Sequence, residues 1–335
     1  MHKTPTSDLE YVLDESSIAQ YRYKEPANSK LLLASTNEIV TFKNFLNELK
    51  DKSVFVFNKS TIHNVRIETT KSHSGGKIEF FILNILDSNT AEVMIKTSSN
   101  LKPSDIIDTP IATVSILDKS EGIFTVDFKK DVRELIQKFG KVPLPPYIND
   151  DSSKYDDYKN EFSEGGFSVA TSTAGLHFTL DMIADLQNNG HKVFFLNLDI
   201  NLGTFKQIHT KNIEDYKIHS EFYKVSEDEF NEILNLKEIG YKVVAVGTTV
   251  LRTLESVFTS GIYEGKTNLF ITPGYKFNIP DFLITNFHAP RSSLLSIVQT
   301  IYGSEWKKLY KYAQKNNLKF LSFGDAVLFK IDEQS

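Results

Sequence analysis

The spacing of apolar residues changes twice along the chain. Up to about residue 65 a few separated segments stand out: a short apolar run at 30–34, helical spacing over 42–49 (Phe42, Phe45, Leu46, Leu49), and a buried-strand composition at 53–57. From 65 to about 128 short alternating runs recur (65–70, 77–83, 91–96, 111–117, 123–128), separated by turn-forming Gly, Ser, Asn and Asp, with no long helical pattern between them. That spacing predicts a small antiparallel barrel or sandwich. A helix over 131–139, closed by Gly140, follows, and then a proline-rich extended segment, Pro143-Leu-Pro-Pro-Tyr-Ile148.

After Phe167 the pattern becomes strand–helix alternation. Val169 and Ala170 are predicted to end a short strand that gives way through Thr171–Gly175 to a helix after Thr179. Strands are predicted at 193–198, 242–247, 269–272, 282–287 and in two halves of 320–329. Helices are predicted at 228–237, 249–260, 294–302 and 305–316. The alternation defines an α/β domain.

In an open α/β sheet, ligands bind beyond the carboxyl ends of the strands. Four predicted strand ends carry small, polar or ionisable residues: Gly203 and Thr204, Gly247 with Thr248 and Thr249, Asn286 with His288, and Gly324 with Asp325. The stretch Thr171–His177 precedes a helix in the same region. Each cluster alone is ordinary turn chemistry; five on one edge make a pocket of hydroxyls, backbone amides, two histidines and a carboxylate, suited to a polar or ribose-bearing small molecule. His177 and His288 together can serve as acid and base, although each alone is better explained as a hydrogen-bonded structural histidine. Arg252 and Glu255, three apart on one helix, are first a local ion pair. His219 and Glu221 can face a site or simply belong to a strand.

Composition narrows the chemistry. The chain of 335 residues has no cysteine, which excludes disulfides, thiolate metal sites and cysteine nucleophiles. Its formal net charge of −5 supplies no global pull toward nucleic acid, so any RNA contact needs a local basic patch. No Walker loop, Gly-x-Gly-x-x-Gly or His-x-x-x-His pattern occurs, and no metal is expected. The first residues contain no apolar signal core, so a cytoplasmic, membrane-free protein is expected, and a monomer.

The sequence resembles the S-adenosylmethionine:tRNA ribosyltransferase-isomerases of queuosine biosynthesis. The resemblance runs over most of the chain. It is carried by Phe57-Asn58, Gly75-Gly76-Lys77-Ile78-Glu79, the 143–148 segment, Thr173-Ala-Gly-Leu-His-Phe178, Gly203-Thr-Phe205, His219-Ser-Glu221, Val246-Gly-Thr-Thr249 with Arg252 and Leu254-Glu-Ser256, Pro273-Gly-Tyr275, Thr285-Asn-Phe-His288, and Ser322-Phe-Gly-Asp-Ala326. It implies an α/β domain, split as residues 1–65 and 141–335, with a small antiparallel β-barrel domain inserted at 66–140. The implied reaction moves the ribosyl part of S-adenosylmethionine onto 7-aminomethyl-7-deazaguanine at the tRNA wobble position. Epoxyqueuosine forms, and adenine and methionine leave. S-adenosylmethionine is thus a substrate rather than a resident cofactor, and tRNA is the partner.

On that resemblance His177 and His288 are candidates for the proton transfers, with Asp325 and Glu255 behind them. Asn58, Arg66, Thr173, Gly175, Gly203, Thr204, His219, Glu221, Gly247, Thr248, Thr249, Arg252 and Asn286 are candidates for substrate binding. The chain departs from the family's pattern at several points. Thr61 stands where an arginine is expected, Ser172 for a proline, Asp199 for a histidine, Asn201 for a glycine and Tyr216 for another histidine; Arg22 and Pro26 replace a proline and an arginine. Threonine cannot supply arginine's bidentate fork for phosphate. The departures therefore leave a second expectation, a paralogue that binds RNA or a nucleoside without ribosyl transfer.

Overall fold

The computed structural model describes residues 3–49, 51–120, 122–149, 152–201, 203 and 206–331. The chain divides into two compact units, one of residues 1–61 with 145–335 and one of residues 62–144.

In chain order the larger unit begins with β1 (Lys30–Leu33), β2 (Glu38–Thr41), α1 (Phe42–Glu48) and β3 (Ser53–Asn58). The smaller unit contributes β4 (Arg66–Thr70), β5 (Lys77–Ile85), β6 (Thr90–Thr97), β7 (Ile106–Asp108), β8 (Thr113–Ser120), β9 (Ile123–Asp127), α2 (Val132–Phe139) and β10 (Gly140–Lys141). The larger unit resumes with α3 (Leu180–Asn188), β11 (Lys192–Leu198), β12 (Glu221–Lys224), α4 (Glu227–Glu238), β13 (Lys242–Val246), α5 (Thr248–Ser260), β14 (Glu264–Thr267), β15 (Phe282–Asn286), α6 (Ser293–Tyr302), α7 (Trp306–Lys315) and β16 (Ala326–Lys330).

Nine strands of the larger unit form one mixed sheet in the order β14-β12-β11-β3-β13-β15-β16-β1-β2. Its centre, β11-β3-β13-β15, is parallel. All six residues of β3 are buried, as the continuous apolar run at 53–57 requires of a strand covered on both faces. Helix starts are fixed by local oxygen caps: Thr179 accepts from Met182 N–H, Ser226 from Glu229 N–H and Ser292 from Leu295 N–H. β16 runs antiparallel to β15 with Ala326 opposite Asn286. The segment just before β16 therefore lies at the edge where the parallel strands end.

Three predicted strands take other forms. Val169 and Ala170 run past the carboxyl edge instead of joining the sheet. Backbone amides there bond the loops after β3 and β11: Ser168 N–H to Thr61 O and Val169 N–H to Ile200 O. Thr173–His177 then forms a 3₁₀ turn, and the helix expected after Thr179 follows as α3. At 269–272 the apolar residues pack as a loop, with Ile271 fully buried and the Thr267 hydroxyl accepting from Leu269 N–H; the edge strand is β14 instead. At 320–325 the chain turns, with Leu321 at φ 68° and Asp325 accepting from Lys319 N–H. Strands β2, β7, β12 and β14 are only three or four residues long, too short for periodicity to reveal them.

The smaller unit is a seven-stranded antiparallel sheet in the order β10-β4-β5-β6-β9-β8-β7. Ile78, Phe80 and Ile82 alternate onto one buried face with Ala91, Val93, Val114, Ile116, Phe124 and Val126. Register shifts at 82/84 and 116/118 bend the sheet about that face. Gly140 ends α2 without the left-handed geometry usual for a C-terminal glycine; its φ is −73°. Close approach explains the residue, because a Cβ there would lie 1.9 Å from the Asn64 carbonyl oxygen and 2.4 Å from that of Ile136. Gly140→Ala should therefore destabilise this unit by about 2–4 kcal/mol. A urea titration in which the variant matches the parent would refute the close-approach account.

Candidate active site

A cleft of about 250 Å³ opens at the carboxyl ends of β13 and β15. One wall is the start of α5. Gly247, at φ 100°, turns the chain from β13 into the helix, and a Cβ on it would press to 3.1 Å of the Ser172 hydroxyl. Thr248 and Thr249 then offer their hydroxyls and the unpaired first amides of a 13-residue helix, which favour an anionic group. Facing them is the 171–174 turn, where the Ser172 hydroxyl lies 3.4 Å from that of Thr249. The floor is Thr285 and Asn286 at the end of β15 and His288 just beyond it. Tyr147, Tyr158, Leu294 and Leu321 form a more apolar side.

His288 is fixed by three bonds. Its Nε2 is 3.0 Å from the Thr285 hydroxyl, its amide donates to Tyr310 Oη at 3.2 Å, and its carbonyl accepts from Tyr11 Oη at 2.6 Å. Burial pushes its pKa down to about 3, so the ring is neutral at pH 7. Asn286 donates through Nδ2 to the carbonyls of Leu321 (3.0 Å), Ser322 (3.4 Å) and Gly324 (3.4 Å). Tyr147 Oη and the Ser322 hydroxyl are 2.6 Å apart, and burial raises the Tyr147 phenol to about 12.

Of the residues expected from sequence, Thr173, Gly247, Thr248, Thr249, Asn286 and His288 line this cleft. Gly175 lies under the turn, where a Cβ would come within 2.9 Å of the Asn160 amide and the Phe162 ring. His177 lines a separate crevice of about 10 Å³ with Arg22, Tyr23, Ser29 and Ser322, and Ser322 borders the cleft as well. Its ring stacks on Phe42 at 4.6 Å. Burial, ahead of the counteracting Asn286 side chain and the nearby Arg22 charge, lowers its pKa to about 3.

The two carboxylates expected behind the histidines hold backbone instead. Asp325 accepts from Lys30 N–H (2.9 Å) and Lys319 N–H (2.7 Å), and burial raises its pKa. Glu255 makes no pair with Arg252. It gathers the 275–279 loop through Asn278 N–H, Ile279 N–H, Tyr275 Oη and Asn278 Nδ2, all at 2.8–2.9 Å. Arg252 instead pairs with buried Glu221 and donates from Nε to Leu269 O. Glu221 also takes the Asn201 amide at 3.0 Å, and His219 Nε2 lies 3.1 Å from it. Burial would raise the Glu221 carboxyl, but Arg252 and His219 outweigh it and hold it at about 2. Gly203 must lack a side chain because a Cβ would overlap the His219 ring at 2.0 Å. Thr204 lies outside the described residues.

Asn58 clips the ends of β3 and β11 together through Leu198 O, Leu198 N–H and Ser60 N–H. Arg66, in the smaller unit, pairs with Glu68 (2.6 Å) and Glu79 (3.2 Å) and borders a groove with Lys77, Lys96 and Lys141. Sequence reasoning missed Tyr158, Gln207 and Ser292 as cleft residues. They come from loops and helix starts whose polar residues carry no periodic signal. Among the described residues no group of three or more His, Asp or Glu is placed to hold a metal ion.

An open mixed α/β sheet with a largely apolar cleft at its parallel strand ends, set with hydroxyls and a histidine, defines a small-molecule-binding enzyme architecture. A model of a family described as queuosine biosynthesis protein matches residues 6–329, and the chain belongs to that family. The chain is similar to S-adenosylmethionine:tRNA ribosyltransferase-isomerases of Natranaerobius thermophilus (36% identical, covering 96% of this chain and 98% of that one) and Nitrosomonas europaea (35%, covering 98% and 97%). Its structure is similar to the S-adenosylmethionine tRNA ribosyltransferase of Thermotoga maritima, with a TM-score of 0.54 and 27% identity over 96% of this chain and 99% of that one.

The buried neutral histidines give the fold a pH signature. His177 and His288 bind a proton only near pH 3 when folded but near 6.5 when unfolded. Between these values the unfolded chain holds more protons, so stability falls as pH is lowered through the window. Glu221 acts in the same sense lower down: its contribution is whole above 4.5 and is lost as pH falls toward about 2. The unfolding free energy from urea titrations should fall from pH 7 to pH 4.5 with a slope of up to about 1.4 kcal/mol per pH unit per histidine, lowering the midpoint, and more shallowly in His288→Gln. An unchanged midpoint between pH 7 and pH 5 would contradict burial of neutral rings.

Proposed function

We propose that this chain is an S-adenosylmethionine:tRNA ribosyltransferase-isomerase. It transfers the ribosyl part of S-adenosylmethionine to 7-aminomethyl-7-deazaguanine at the tRNA wobble position and forms epoxyqueuosine with release of adenine and methionine. The observation that carries the reading is the match over nearly the full chain to enzymes of that name, together with a cleft at the strand ends that contains matching motif residues. In this reading the smaller unit is an inserted β-barrel domain, and the protein acts as a monomer in the cytoplasm.

The cleft has the parts this chemistry requires. A sulfonium makes the neighbouring ribose C5′ protons acidic, and a neutral imidazole can accept one; His288 in the cleft, and His177 in the separate crevice that shares Ser322 with it, are neutral at pH 7. The amides at the start of α5 suit the methionine carboxylate. Thr171, Thr173 and Thr249 suit ribose hydroxyls, and the Tyr147–Tyr158 side suits a nucleobase. The fixed dipoles of Asn286 and of the α5 start need little reorganisation as charge develops. In the smaller unit, Arg66, Lys77, Lys96 and Lys141 line a groove against Glu68 and Glu79, and the net positive charge suits an RNA backbone. Glu221 at the start of β12, Arg252 on α5 and His219 beside them brace the loop after β11, whose Ile200 lines the cleft.

Purified protein with S-adenosylmethionine and tRNA bearing the aminomethyl-deazaguanine should release adenine, and the tRNA mass should rise by the transferred group. Binding with neither change would favour the non-catalytic paralogue. His288→Ala should lower adenine release by roughly 10²-fold or more while still binding S-adenosylhomocysteine. Near-parental rates would remove His288 from the site.

A further inference from the structure

The apolar side of the cleft carries a hydroxyl that finds no hydrogen-bond partner among the described residues, that of Tyr158. Tyr158 follows the exposed Asp156 and Asp157, and its amide donates to Lys154 O at 3.1 Å, so the backbone here runs along the surface. The side chain turns inward. It is fully buried, lines the cleft and meets the Phe323 ring edge to face at 5.7 Å. Tyr147, on the same side, is by contrast committed: its hydroxyl and that of Ser322 are 2.6 Å apart. A buried phenol without a partner costs stability, and one that lines a cleft is a donor placed for a ligand's acceptor. The phenol stays protonated. Burial, and then the neighbouring Tyr147 phenol, push its pKa up, and Ser322 and the Thr171 amide counter this only in part.

We propose that Tyr158 is a specificity-determining residue for S-adenosylmethionine, its hydroxyl donating a hydrogen bond to a ring nitrogen of the adenine. This rests on the reading of the chain as a ribosyltransferase-isomerase. The division of the cleft argues for the base rather than the sugar. Hydroxyls and free amides gather at the 171–174 turn and the start of α5, where ribose and carboxylate find partners. The side that holds Tyr158 presents the Tyr147 ring, Leu294 and Leu321, a lining for a flat heteroaromatic ring. A purine edge carries ring nitrogens with in-plane lone pairs. In apolar surroundings one matched donor discriminates strongly against a base that lacks the acceptor. The same bond serves the leaving group. When the C1′–N9 bond breaks, its electron pair passes to adenine, and the charge that spreads over the ring nitrogens strengthens the bond. The phenolic proton stays on Tyr158. The released base takes one proton from the solvent, which offsets the one lost from C5′.

Tyr158→Phe removes the hydroxyl and keeps the ring. With no protein partner to lose, the variant should unfold at the parent's urea midpoint or above it; a lower midpoint would reveal a structural bond and overturn the proposal. Binding of S-adenosylhomocysteine without RNA, followed by calorimetry, should weaken about tenfold to a hundredfold in the variant. The 1-, 3- and 7-deaza analogues each replace one ring nitrogen by C–H. One of them should bind the parent with a loss of the same size, and bind Tyr158→Phe no worse than the unmodified ligand does. Equal binding of S-adenosylhomocysteine by parent and variant, or a loss in the variant that is the same for every analogue, would overturn the assignment. Unchanged S-adenosylhomocysteine binding with a raised KM for tRNA would do so too, by placing the hydroxyl on the RNA. A parent that shows the expected binding pattern but releases no adenine would fail the enzymatic reading and leave the recognition of the base standing. A parent that binds no S-adenosylhomocysteine would overturn both.

Discussion

Backbone satisfaction at the carboxyl edge of the mixed sheet is the constraint on which this structure depends. Where β3, β11, β13 and β15 end, the ladder stops while the chain remains buried, and each loose amide or carbonyl must find a partner. Buried polar side chains supply it. Asn58 ties β3 to β11, Asn286 collects three carbonyls from the turn before β16, and Asp325 takes the amides of Lys30 and Lys319. Glu255 does the same for the 275–279 loop. Removing one partner from such a set leaves a desolvated group behind, which costs more than the bond itself contributes.

That scaffolding and the cleft are one construction. The side chains that satisfy the edge lie beside the turn that carries Thr173, the helix start that carries Thr249 and the strand end that precedes His288. Asn286 belongs to both: its amide nitrogen is committed to the carbonyls before β16, and the residue lines the cleft floor. A site built on strand ends and one helix start is held more rigidly than one on free loops, as electrostatic preorganisation requires.

The sequence was informative where one physical period dominated. The all-buried β3, the alternating strands of the smaller unit and the capped helices followed from apolar spacing, and the strand-end rule placed Gly247–Thr249, Asn286 and His288 at one edge. It was uninformative where long-range hydrogen bonds decided the outcome. The segment at Val169 and Ala170 has strand composition, but its partners are loops. Arg252 and Glu255 have ion-pair spacing, yet each meets a different element, because Glu221 and the 275–279 loop reach them first. A carboxylate that binds substrate and one that holds a loop look alike in a sequence. Only the donors around Asp325 and Glu255 tell them apart.

The same distinction bears on the positions where the chain departs from its family's pattern. Asp199, in place of a histidine, accepts from the Ser60 hydroxyl and the Phe167 amide, both at 2.8 Å, and does not line the cleft. Thr61 contributes backbone bonds to Gly165 and Ser168. Tyr216 packs against Phe270, and the Asn201 amide supports Glu221. Arg22 turns its guanidinium onto the Leu176 carbonyl at the end of the turn that carries His177. Of these substitutions Ser172 alone borders the cleft, where its hydroxyl meets Thr249. Each of the others is taken up by hydrogen bonds or packing in the supporting loops, and an aspartate held by two donors brings no stray charge into the cleft. The departures thus change how the scaffold is assembled while the cleft keeps its hydroxyls, its amides and its neutral histidine. This weighs against a paralogue that has lost the chemistry.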